Sequence, residues 1–95
     1  MIQDDVYKLA KEIIKLESDE GLVHRLKDKA LEALLFVNRR HYGDAIKAMD
    51  DVQIMLRLSA DLKLINYEVY KGLEDEANRL AKSMVATFRS DSKRR

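Results

Sequence analysis

The chain has 95 residues, enough for one domain and little else. Hydrophobic residues make up 46% and charged residues 37%, with 18 Lys plus Arg against 17 Asp plus Glu, a composition that argues against disorder and fits amphipathic helices covered in ion pairs. A net charge of +1 excludes a chain that grips nucleic acid with its whole surface, and the absence of cysteine excludes disulfides, thiolate nucleophiles and thiolate metal sites.

The longest unbroken apolar run, Ala33 to Val37, falls far short of the roughly 20 residues that span a bilayer. The acidic start Met1-Ile2-Gln3-Asp4-Asp5 lacks the basic opening of a secretory signal, and a cytoplasmic protein is expected. Proline is absent and the three glycines stand at 21, 43 and 72, which leaves long periodic segments. The pattern predicts an all-α protein, an antiparallel up-down-up-down four-helix bundle over residues 1–90. Its helices are expected at 2–17, 20–41, 44–63 and 67–89, followed by a mobile basic tail, 91–95.

In the first helix Ile2, Val6, Leu9, Ile13 and Leu16 form one stripe, with Asp4 and Asp5 placed to offset the helix dipole. Ser18 or Asp19 is available to cap the second, whose inner face is Val23, Leu26, Ala30, Leu34 and Val37, and Gly43 suits a left-handed position after its end. The third carries Ala45, Met49, Val52, Leu56 and Ser59 in register. Asn66 reads as the cap of the fourth, with Ile65 and Tyr70 at the positions of a hydrophobic staple. That helix presents Val69, Leu73, Ala77, Leu80, Met84 and Phe88, and interior Gly72 costs it about 1 kcal/mol relative to Ala unless a close contact uses it.

Helices two and three hold more apolar residues than one stripe accommodates. At about 100° per residue, Ile54 lies roughly 160° from Val52 and Leu58 roughly 160° from Leu56. The surplus is either scattered surface hydrophobes or a homo-oligomeric interface, for which Leu31, Leu35, Phe36, Ile54, Arg57 and Leu58 are the candidates. Arg57 is open to two readings, an ion pair with Asp61 one turn later or an interface contact.

The two histidines, His24 and His41, have no second nitrogen at ligand spacing, and Glu20 with His24 makes only one pair, so neither metal nor cofactor is expected. Lys8 and Glu12 read as a helix-surface pair. No phosphate loop, nucleophile elbow or set of facing Glu-x-x-His motifs occurs, and no enzymatic activity is expected. Two basic clusters stand out: Arg39-Arg40-His41, and Arg89 with Lys93, Arg94 and Arg95. They either favour helix ends and solubility or contact phosphates, and an oligomer would multiply the phosphate contact through avidity.

The segment Leu56 to Tyr70 resembles the junction of helices three and four in a family of four-helix bundles. That family includes the accessory variability determinants of diversity-generating retroelements and the proteins encoded in intervening sequences of large-subunit ribosomal RNA genes. The resemblance rests on Arg57, Asp61, Leu62, Leu64, Ile65, Asn66 and Tyr70, with Lys29 to Leu35 and Asp4 to Ala10 similar to earlier parts of such proteins. The family's Gly-Gly-Trp-like ending of helix four is replaced by Ala81-Lys82-Ser83-Met84.

The resemblance implies a pentameric, barrel-like ring and, in the retroelement branch, a basic surface that engages a reverse transcriptase and RNA. The expected function is that of a non-enzymatic accessory protein binding nucleic acid, RNA or DNA, or a reverse transcriptase. The alternative is a structural or regulatory protein-interaction module without nucleic acid.

Overall fold

Four α-helices form where the apolar spacing is most regular: α1 (Ile2–Ile14), α2 (Gly21–Asn38), α3 (Tyr42–Asp61) and α4 (Tyr67–Lys93). The computed structural model describes residues 1–93, with side chains as far as Ser90. Among the described residues no helix is long and apolar enough to cross a membrane. Each helix packs on its neighbours in sequence and α1 also packs on α4, whereas among the described residues the backbones of α1 and α3, and of α2 and α4, stand farther apart. The four helices thus stand at the corners of an elongated body of 44 × 19 × 19 Å.

The core follows from the stripes. Val6, Leu9, Ala10 and Ile13 of α1 meet Leu26, Ala30, Ala33 and Val37 of α2, the Ala45, Met49, Val52 and Leu56 row of α3, and Tyr70, Leu73, Ala77, Leu80 and Met84 of α4. Fully burying one large side chain of this kind is worth about 1.5–3 kcal/mol, which is why the stripes rather than helix propensity fix the register. The α3 register is as the spacing predicts, and it carries Ser59 into the core with its hydroxyl unpartnered.

Three core assignments move. Ala33 is buried where Leu34 was expected, and Leu34 is only partly buried. Tyr70 replaces Val69, which is 47% exposed. The tyrosine turns its ring inward and gives its hydroxyl to the Glu74 carboxylate one turn on, so it enters the core without stranding a donor. Phe88 is half exposed and closes no core layer.

The helix ends also differ from expectation. α1 stops at Ile14, and Leu16 packs on the core from the connection. Ser18 accepts a hydrogen bond from the Glu20 amide, but the cap position of α2 is Glu20, without a side-chain cap. Gly43 is not the left-handed residue after α2; it lies inside α3, and Arg40 takes that conformation with φ 60°.

The amides of Arg40 and His41 bond back to the carbonyls of Val37 and Phe36, at 3.1 and 2.8 Å. These two bonds define the Schellman ending. The end of α3 repeats it, with Lys63 left-handed and the Leu64 amide on the Ser59 carbonyl at 2.9 Å. Asn66 caps α4 as expected, its side-chain oxygen accepting from the Glu68 and Val69 amides at 2.8 and 3.2 Å. α4 runs to Lys93, past the expected end at 89.

Candidate nucleic-acid interface

The Schellman ending of α2 sets the first basic cluster. Because the chain reverses through Arg40 in three residues, Arg39, Arg40 and His41 are all exposed on one turn. His41 stacks on Phe36, ring centroids 6.4 Å apart and planes at 26°. This is the apolar contact that usually accompanies such an ending, and it holds the imidazole against the helix tip.

One member of the second cluster, Arg89, lies at the same end of the bundle. The tip of the Phe88 ring stands 4.0 Å from where a Cβ on Gly43 would sit. Gly43 begins two residues after His41, and exposed Arg89 directly follows Phe88, so Arg39, Arg40, His41 and Arg89 share one end of the bundle. Asp44, exposed in the first turn of α3, adds one opposing charge nearby. Lys93, Arg94 and Arg95, and with them the expected tail, lie outside the residues whose side chains are described. The Gly43 and Phe88 pairing is the element that sequence reasoning missed: Phe88 reads as a core residue on its own helix, and nothing local links it to a glycine 45 positions earlier (88 − 43 = 45).

The candidate interface residues divide. Lys29 reaches from α2 to Asp51 of α3 at 3.5 Å and to Glu32 at 3.4 Å; Glu32 first, then Asp51, holds its ammonium above the ordinary lysine range. That pair marks the sides of α2 and α3 that face each other. Leu31 and Leu35 lie about 160° and 120° around α2 from Lys29, turned away from α3. On α3, Leu58 lies about 20° from Asp51, toward α2, and Arg57 about 40° from Gln53, toward α4. Gln53 faces α4 because its amide donates to Asn78 at 2.5 Å.

Ile54, 65% exposed, points outward between the two. Leu31 and Leu35 therefore form one apolar patch, and Ile54 with Leu58 a second, on different sides of the bundle. Phe36 is partly buried against the core and covered by His41, so it belongs to the packing of its own chain. Among the described residues Arg57 makes no ion pair with Asp61; it edges a shallow groove with Gln53, Ile54, Glu74 and Asn78. Glu12 pairs with Lys15 at 3.7 Å rather than with Lys8. Among the described residues no group of three or more His, Asp or Glu side chains is arranged to hold a metal ion.

Comparison with known proteins finds no family model that matches the chain, and no curated protein or solved structure that is similar to it.

Proposed function

We propose that this protein is a non-enzymatic accessory protein. In this reading it self-associates through its surplus apolar patches, into a ring that the family resemblance makes a pentamer. Through one basic bundle end it binds nucleic acid, or a nucleic-acid enzyme such as a reverse transcriptase. The bundle is antiparallel, up-down-up-down. Two contacts support that topology: moving ten residues back along α3, from Gln53 to Gly43, moves ten residues forward along α4, from Asn78 to Phe88. Short connections at 39–41 and 62–66 favour the same arrangement, because each leaves the next helix no room except alongside the last.

The observation that supports the functional reading is the place of Phe88 beside Gly43, which puts Arg89 at the same bundle end as Arg39, Arg40 and His41. A chain of net charge +1 binds phosphates only where its cations are concentrated, and this end concentrates them. Repetition around a symmetry axis would raise a weak contact through effective concentration. The setting is a cytoplasmic one.

The test is fluorescence anisotropy with a labelled single-stranded RNA at low salt, on the full chain and on Arg39→Glu/Arg40→Glu. Binding by the parent chain and its loss in the variant are expected. Absence of binding, or equal binding by both, would refute the RNA part and leave the protein-interaction module.

A further inference from the structure

The other long side of the molecule, between α1 and α4, holds an open groove of about 400 Å³ lined by Lys8, Leu9, Glu12, Glu68, Val69, Gly72, Leu73 and Glu76. It lies where Lys8 to Glu12 of α1 run beside the first turns of α4, and Gly72 leaves the α4 wall without a side chain there. The floor is apolar, with Val69 left 47% exposed at its edge. Three carboxylates and one lysine stand around it. Glu12 and Glu76 pair along their own helices with Lys15 and Arg79. Exposed pairs of that kind are worth too little to withhold either carboxylate from a stronger partner.

Gly72 supplies a second and independent observation. It sits in the interior of a regular helix, where glycine costs about 1 kcal/mol relative to alanine, and a Cβ there would meet nothing within 4 Å. The fold itself gives no reason for a glycine. An occupant that lies close on the α4 backbone would, because a missing side chain lets another chain approach within van der Waals distance.

We infer that the α1–α4 groove is a docking site for a basic amphipathic peptide segment of a protein partner. One apolar anchor seats over Gly72 between Leu9, Val69 and Leu73, and flanking Lys or Arg side chains face Glu68, Glu76 and Glu12. Charge complementarity sets the sign of the occupant, and an amphipathic helix laid in an apolar groove is a common way to meet both demands. Glu12 and Val69 also line the neighbouring hollow at the bundle end, where Lys15 and Lys63 stand. The cations of the peptide therefore belong chiefly over Glu76, the carboxylate farthest from that end, and next over Glu68. This site is separate from the RNA reading and does not depend on it.

The experiment is a backbone-amide NMR titration of the full chain with a 14-residue amphipathic helix built of Leu and Lys, and with its Leu and Glu counterpart. Saturable shifts at residues 8–12 and 68–76 with the basic peptide are expected, with affinity at least tenfold weaker for the acidic one. Gly72→Leu, which plugs the floor, and Glu68→Gln/Glu76→Gln, which removes the charge without touching the packing, are each expected to weaken binding at least tenfold. Shifts that map to Leu31 and Leu35 or to Ile54 and Leu58, equal binding of both peptides, or unchanged binding by the glutamine variant would overturn the inference. Anisotropy with RNA on the same variants keeps the two questions apart, since a plugged groove leaves the Arg39 and Arg40 end untouched.

Discussion

Two basic residues, Arg40 and Lys63, hold the left-handed conformation that glycine adopts at no cost. Each carries a strain of about 1 kcal/mol, so Arg40→Gly and Lys63→Gly should each raise stability in urea unfolding by about 0.5–1 kcal/mol. The two are equivalent for folding but not for function: Arg40→Gly should weaken RNA binding and Lys63→Gly, at the opposite end, should not. Ser59 is another residue out of balance, with a fully buried hydroxyl that has no partner. Leaving such a group unmade costs about 1–3 kcal/mol, so Ser59→Ala should be neutral to about 1 kcal/mol stabilising in the same measurement, against the usual trend for a core truncation.

At the scale of elements, Gly72 makes the sharpest statement. Because nothing opposes a Cβ there, Gly72→Ala should stabilise α4 by about 1 kcal/mol and raise the thermal midpoint by several degrees. A loss of stability would mean that the helix is not as open on that side as described. The elements themselves were legible in the sequence where period and burial agree: Ala45 to Ser59 keep one register because each member is buried and none competes with a better neighbour. Asn66 was legible because an amide side chain before an apolar run has a specific bond to make.

The end of α2 is not legible, since the expected signal is Gly43 and the chain uses Arg40 instead; α3 ends in the same way on Lys63, with no glycine to mark it. Spacing favours Val69 over Tyr70 for a similar reason. Spacing alone cannot weigh a tyrosine whose hydroxyl finds Glu74 against a valine one position away. The candidate site was legible as two clusters but not as one place, because that depends on the contact of Phe88 with Gly43 across the fold.

For the whole molecule, the surplus of apolar surface predicted from sequence is present but divided. A single self-complementary face would have gathered Leu31, Leu35, Ile54 and Leu58; two separated patches instead suit a head-to-tail contact, which closes into a ring when the rotation allows. Light scattering should therefore show a large drop in mass for Leu31→Lys/Leu35→Lys and an equal drop for Ile54→Lys/Leu58→Lys. A mass unaffected by either pair would remove self-association from the account.

If cations far apart in sequence act as one electrostatic site, the salt dependence of RNA binding carries their signature. Removing Arg39, Arg40 and Arg89 together should reduce the slope of log K against log salt by about 2, given about 0.7 per phosphate contact on a single strand. Removing Lys8, Lys15 and Lys63 should leave the slope as it was. Equal slopes for the two triple variants would contradict the claim.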